Sequence, residues 1–539
     1  MKKFKYIFGW AGLALLLLSS CKKSFLDEKV ASGYSPATLA DSLGFEASVI
    51  GMSNLVSTIF THSNYQGLID AWQVGTDVCY ATAPEGSEVP FYNYTTLTPT
   101  NVVGSTTWTW AYQLVNNANI IISNVENPSL VMSQANKNYI DGEAKFYRAY
   151  AYNTLATLFG KVPVITQPLT APKTDFTRAS LDTVNALIVS DLVFAAANLP
   201  DIDNVKSNSA GRMTQRPNKA MAQQLLAEAY LRIGKPDLAE AQCQAIISSG
   251  KFSLIKARYG VKASQPGDYY SDMFWYGNQR RKQGNTEAIW VLEQENPATV
   301  TGGITNSAQQ RRNWGAAYYS IAGMLPCDSL GGRGISRMRL SDWVLYRLYD
   351  AGDMRNSKYN IRRQFWYNDP SSTYAAQYGK PVPYVGTDTV RFLAPHITKW
   401  YQFDPNDVFG FAMIKDFILM RLGETYLLLA EAQFRQNKLT EAAATLTTLR
   451  ARSNASAVTA GQVTMDFILD ERVRELIGEE NRRMTLMRTG TLVTRANTLN
   501  SNSVMNPLNG LSSKNLLLPI PQSEIDLNKD AKLEQNPGY

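Results

Sequence analysis

Histidine is nearly absent: His62 and His396 are the only two in 539 residues. They lie far apart in sequence and outside any metal or nucleophile motif, so histidine-based catalysis and multi-histidine metal binding have nothing to build on. Both read as structural or surface residues. The chain also lacks GxSxG, HExxH and GxxxxGK[ST], the signatures of several hydrolase, zinc-protease and phosphate-loop chemistries. Gly331-Gly332-Arg333-Gly334 is rich in glycine, but no Lys-Ser/Thr follows it and no strand precedes it, so it reads as a tight turn. Cysteine is scarce too. There are four, and no pair has metal-ligand spacing. Cys243 sits in the amphipathic AEAQCQAII as a small hydrophobe, and a Cys79–Cys327 disulfide stays open in an export compartment.

The only long apolar run near the start, Ile7 to Leu18, is short for a bilayer span. Lys2, Lys3 and Lys5 precede it, and Leu18-Ser19-Ser20-Cys21 follows as a lipobox. Residues 1–20 therefore read as a lipoprotein signal peptide, 21–36 as a lipid-anchored leader and 37–539 as one domain. More than one acyl chain on Cys21 would anchor the protein firmly without a transmembrane helix, at about 0.8 kcal/mol per buried methylene. Removing the three lysines of residues 1–20, which contain no acid, takes the formal charge from +7 to +4. That is weakly basic for so long a chain. No basic cluster with interleaved aromatics appears, so no nucleic-acid partner is expected.

What the chain has in quantity is helical periodicity and aromatic rings. In RLGETYLLLAEAQFRQNKLTEAAATLTTLRAR, from Arg421 to Arg452, apolar residues recur at three- and four-residue spacing on either side of Asn437-Lys438. The pattern is a helical hairpin. LLAEAYLRIGKPDLAEAQ, from Leu225 to Gln242, echoes LLAEAQFRQNKLTEAAAT, from Leu428 to Thr445, with the spacing across the turn read as differing by two residues. Two such copies favour a repeat scaffold over an isolated pair. The expected fold is mainly α, a tetratricopeptide-like helical-hairpin scaffold with a large loop-rich insertion containing short strands. Scaffold is expected mainly in 37–70, 108–254 and 416–490, with Thr464 to Arg488 one long helix carrying Asp470–Arg474 and Glu479–Arg483 pairs.

Residues 71–107 and 255–415 interrupt the helices with Gly, Pro, Ser, Thr and rings. Long irregular segments in a compact protein are usually functional or disordered, and their aromatic content argues against disorder. Flat rings on loops suit the apolar C–H faces of sugars, and a few polar groups orient the ligand. Trp72, Tyr80, Tyr92, Asn93, Tyr94, Asn313, Trp314, Tyr318 and Tyr319 are the expected ligand-binding residues; any one ring taken alone reads more readily as core, and the two regions together read as a recognition surface. Phe91, Arg311, Arg312 and the run Phe365-Trp366-Tyr367 share these regions. A glycan-active enzyme would need two facing carboxyl groups, whereas Glu431, Glu471 and Glu475 read as ion-pair or helix-surface groups. No catalytic residue or cofactor is expected, and no motif speaks for or against a structural calcium ion.

The order of motifs resembles the SusD/RagB family of Bacteroidetes outer-membrane lipoproteins over nearly the whole length. Phe25-Leu26-Asp27 follows the lipobox cysteine, then come Gly75-Thr76-Asp77 and Trp108, Tyr112 and Asn119 in WTWAYQLVNNAN. GEAKFYRAYAYNTLATLFGKVPV, Gly211-Arg212-Met213-Thr214, Asp353-Met354-Arg355 and the LLAEA stretch follow in order. The end, LLLPIPQSEIDLNKDAKLEQNPGY, is similar to the family's closing signature. Asn481 and Thr485 depart from the Gly and acid that the family commonly has there. The resemblance implies a lid over a SusC-like TonB-dependent transporter, held at the cell surface by its lipid anchor. It implies capture of glycans or, in the alternative, of peptides by a RagB-like protein; no ligand residue transfers by motif.

Overall fold

The computed structural model describes residues 42–62, 67–206, 213–301, 303, 308–386, 388–411 and 413–539. The signal segment, Cys21, the leader 21–36 and the Gly211-Arg212 motif lie outside the described residues. The chain divides into a leading unit, Met1–Ser48, and a body, Val49–Tyr539.

Eleven longer helices are named here: α1 (Ser42–Phe60), α2 (Val102–Val125), α3 (Gln134–Phe159), α4 (Leu181–Asn198), α5 (Lys219–Arg232), α6 (Pro236–Ser248), α7 (Leu422–Arg435), α8 (Leu439–Arg452), α9 (Met465–Leu476), α10 (Arg482–Arg488) and α11 (Leu492–Leu499). Their starts are written in the sequence. Asn101, Ser133, Ser180, Asn218 and Thr464 each cap a first turn by accepting a backbone N–H, worth about 1 kcal/mol apiece. From α2 to α8 each helix packs on the next, and α9 returns to α7. The insertion therefore leaves the stack after α6 and re-enters it on α6's own surface.

The LLAEA echo is structural. α5 with α6 and α7 with α8 are both hairpins, and the two turns are equal in length, from Arg232 to Pro236 and from Arg435 to Leu439. The two-residue difference read from the sequence is corrected accordingly. Each turn passes through one left-handed residue, Gly234 at φ 70° and Asn437 at φ 60°, the residue types that tolerate that conformation best.

The expected last long helix is broken in two. Gly478 turns the chain at φ 77°, where a Cβ would run into Ile397, and Asn481 caps α10 by accepting from Met484 N. Neither expected pair on its polar face forms: the break separates Glu479 from Arg483, and Asp470 and Arg474, both within α9, take other partners. Glu479 bonds Lys399 and Arg421; Arg483 donates to the carbonyls of Ala71 and Val74; Asp470 meets Arg495 and Arg474 meets Glu471. Helix α2 also begins earlier than expected, at Val102.

Three two-stranded antiparallel ribbons tie distant segments: β1 (Cys79–Ala81) with β3 (Met338–Leu340), β2 (Ala288–Leu292) with β6 (Phe417–Arg421), and β4 (Ile361–Arg362) with β5 (His396–Ile397). The β-like run at Ala288 is β2. Buried charge completes the join between insertion and scaffold. Arg355 holds Asp353 at 2.8 Å, Glu471 at 2.7 Å and Glu475 at 3.0 Å, and Arg452 Nη1 holds Glu287 at 2.7 Å. Burial alone would raise the Glu475 carboxyl, but Arg452, Arg421 and Arg355 outweigh it and hold it well below the usual range. Glu431, Glu471 and Glu475 are thus fully buried ion-pair partners, not helix-surface groups. Cys79, Cys243 and Cys327 are all free thiols, so the Cys79–Cys327 bond is absent.

Candidate ligand-binding face

The insertion has a small core of its own: Ala316, Tyr318, Met324, Leu330, Phe365, Val382, Leu393 and Ala394. Its edges decide which rings face outward. Phe365 is buried and its neighbour Trp366 is 41% exposed, the alternation of an extended segment. Tyr318 is buried, donating to Gly332 O at 2.9 Å, while Tyr319 is left half-buried at the surface.

Around Tyr319 the chain assembles an exposed cluster. Phe409 and Phe411 are 55% and 54% exposed, and Phe409 meets the Tyr319 ring edge-on at 5.8 Å. Arg312 and Arg333 lie over the Phe411 ring, with guanidinium carbons 4.4 and 4.7 Å from its centre. Arg333 also donates from Nε to Tyr319 Oη at 3.2 Å and from Nη1 to Phe409 O at 2.8 Å. Such cation–ring contacts are worth about 0.5–2 kcal/mol each and fix ring and cation together.

Local geometry explains the placement. Gly331 and Gly332 both have positive φ, and a Cβ on Gly331 or Gly334 would collide with Tyr401 or with the Gly315 carbonyl. The tight turn expected there is present, and its close packing carries Arg333 to the surface. Below it, buried Arg311 donates to Gln402 O at 3.1 Å and to Gly410 O at 2.6 Å. That fastens the segment at Gln402 and again at Gly410, between Phe409 and Phe411. Burial, then Arg333 and Arg337, pulls the Arg312 guanidinium down to about 10, so it stays charged at neutral pH.

Most of the residues expected at the site lie elsewhere. Trp72, Tyr80, Tyr94, Asn313, Trp314 and Tyr318 are buried and, as placed, cannot stack on a ligand. Their apolar area goes into the packing of the loop regions themselves, the larger demand on any ring in a segment without long helices. Tyr80 lies in β1 under Arg339, and Tyr94 donates to Gly75 O and accepts from Arg483. Asn93 is half-buried and caps a short turn by accepting from Thr95 N; Tyr92 beside it is half-buried. Only Tyr319 joins the exposed cluster. Phe409, Phe411 and Arg333 were missed, although PNDVFGF carries a signal: two rings flanking a glycine in a turn-rich stretch without periodicity.

A hollow lies against the helical scaffold, lined in part by Trp72, Trp110, Tyr150, Trp290 and Trp400. At about 160 Å³ it is smaller than the 300–1,000 Å³ typical of ligand pockets. Its charged lining is already engaged, Arg472 with Glu424 and Glu480. His396 is a core residue held down to about 4 by burial and hydrogen-bonded to Ala394 O and Tyr401 Oη.

Comparison with known proteins gives a consistent picture. A family model described as "SusD family" matches residues 394–539, and one described as "Starch-binding associating with outer membrane" matches residues 37–231. SusD-like protein P25 of Formosa agariphila is 25% identical over 439 residues, 79% of this chain and 77% of that protein. Among solved structures, a laminarin binding SusD-like protein superposes with TM-score 0.65 at 22% identity, covering 93% of this chain and 100% of the other. Surface glycan-binding protein A from Bacteroides thetaiotaomicron gives TM-score 0.71 at 19% identity, covering 93% and 100%.

Proposed function

The chain belongs to the SusD/RagB family of non-catalytic glycan-binding proteins associated with the outer membrane, and from that premise we propose that it captures an oligo- or polysaccharide on the Tyr319–Phe409–Phe411 cluster. The observation that carries the reading is this surface trio, two exposed phenylalanine rings beside the half-buried Tyr319, with two guanidiniums over Phe411. Exposed rings offer stacking faces to sugar C–H groups; Arg312 and Arg333 offer donors to sugar oxygens. The captured glycan is handed to a SusC-like TonB-dependent transporter. The protein is held at the cell surface by acyl chains on Cys21 after removal of residues 1–20, with 21–36 as leader and 37–539 as a single domain. The work is binding and positioning, and no step breaks a bond.

Affinity electrophoresis against a polysaccharide panel that includes laminarin and starch tests the capture step. The paired change Phe409→Ala with Phe411→Ala should abolish retardation by whichever polymer binds. Binding of oligopeptides in place of every polysaccharide would establish peptide capture instead. The transporter and the anchor have their own checks. The first is co-purification of a TonB-dependent partner from outer membranes, and the second is release of Cys21→Ser protein into the soluble fraction.

A further inference from the structure

Resting on that reading of the Tyr319 cluster, we infer that the ligand it selects is an anionic saccharide, one carrying a carboxylate or sulfate oxyanion, read by Arg312 and Arg333 across the face of Phe411.

These two cations lie over one exposed ring and, among the described residues, meet no acid. Elsewhere most arginines end on acids: Arg148 on Asp191, Arg216 on Glu143, Arg355 on Asp353, Glu471 and Glu475, and Arg488 on Glu431. Among the described residues, neither Arg312 nor Arg333 forms an ion pair. Arg312 donates from Nη1 to the neutral Gln309 side chain at 2.7 Å, and its Nε, buried, has no partner. Arg333 donates to a tyrosine hydroxyl and a carbonyl. The nearby acids do not compensate them. Glu85 and Glu88 are held by Arg337, while Asp404 and Asp407 act on Arg311. Two like charges therefore share one ring, and the charged groups acting most strongly on Arg312 are other arginines.

Like charges packed together and half-buried repel one another, and an anion placed between them removes that cost. A guanidinium's fork matches the two oxygens of a carboxylate or sulfate, and charge-assisted bonds of this kind are about twice as strong as neutral ones. The adjacent rings supply what a free anion does not need and a sugar ring does, a flat apolar surface. Together they describe a pyranose bearing an oxyanion.

The test is calorimetric titration of the full chain with matched polymers: polygalacturonate and alginate against their carboxyl-reduced forms, and a sulfated galactan against its desulfated form. Laminarin and starch serve as neutral references and poly-glutamate as a non-sugar polyanion. At least one charged polymer should bind ~10-fold or more tightly than its neutralised partner, with affinity falling as salt rises. Which pair shows the difference tells carboxylate from sulfate. Arg312→Gln and Arg333→Gln should each weaken the charged form by about 10-fold while weakening the neutralised form far less, and Arg333→Lys should recover part of the loss. If charged and neutral forms bind equally, the anion inference falls while glycan capture stands. Equal binding of poly-glutamate shows that charge alone is read and also overturns it. If no polysaccharide binds, the underlying reading falls with it.

Discussion

Arg452 and Arg312 each lie against an aromatic ring, and there the likeness ends. Arg452, fully buried, has its guanidinium carbon 4.9 Å from the centre of Tyr270, and its two terminal nitrogens go to Glu287 and Glu475. Arg483 repeats the arrangement at 4.0 Å over Phe91 and gives its donors to Ala71 O, Val74 O and Tyr94 Oη. Arg312 lies 4.4 Å over Phe411 but closes on no acid. Ring and cation are the same pair in all three places. Inside, ring and cation are buried together, and the guanidinium's bonds fasten loop to helix. On the loop face the cations lie beside rings that water already reaches. The residue types do not separate framework from recognition; the exposure of the ring does.

The sharpest way to break this comparison is inside. Arg452→Met leaves Glu475 and Glu287 buried with one cation fewer and should cost about 3–5 kcal/mol, read as a fall in the urea midpoint. A loss under ~1 kcal/mol would mean that the interior network is not what joins insertion to scaffold.

Acid offers a second probe of the interior. Burial would raise the Glu431 carboxyl; Arg488, Arg435 and Arg472 outweigh it and hold it down to about 2, against an ordinary 4.5. A carboxyl lowered on folding stabilises fully above its unfolded value and progressively less as pH falls through the folded one. Between pH 4.5 and 2 this one group should therefore give up on the order of 3 kcal/mol. Denaturation curves of Glu431→Gln across that window should be flatter than those of the parent, and equally steep curves would assign the acid sensitivity elsewhere.

On the loop face the expected effect moves from stability to binding. Phe411→Ala should lower ligand affinity by about 10-fold, or ~1.4 kcal/mol, while lowering the unfolding free energy by no more than the roughly 2 kcal/mol that its cation contacts can supply. Trp314→Ala should do the reverse, destabilising the fold because its ring is 1% exposed. A joint loss of both properties in Phe411→Ala would put that ring in the framework.

The smallest effect lies at Asn481. Its side chain caps α10, so Asn481→Ala should cost about 1 kcal/mol and Asn481→Gly only a few tenths, a difference that thermal scans of both variants can resolve.

The scaffold was legible because helices repeat themselves. The LLAEA echo, the caps at Ser133 and Ser180, and the family motifs all report local structure that a linear string can carry. Thr485 shows the limit even there: standing where the family has an acid, it donates to Glu480, a partner visible only once α9 and α10 are known to be separated by a turn. The site was legible as a region and not as residues. Composition marks 255–415 as aromatic, but whether a ring faces in or out follows from packing between segments far apart. Tyr318 and Tyr319 are adjacent in sequence and opposite in fate because Gly332 O lies under one of them. Arg333 looked like part of a turn, and so it is; its exposure comes from three glycines whose lack of side chains matters only against Tyr401, Gln402 and Gly315.

The loop that carries Phe409 and Phe411 is gripped by Arg311 through two main-chain oxygens, Gln402 O and Gly410 O. Every residue type supplies such an oxygen. Residues 403–409 between the two oxygens can therefore change identity without deleting either bond. A lineage facing a new food source could rewrite the lettering of this loop and inherit the binding posture intact.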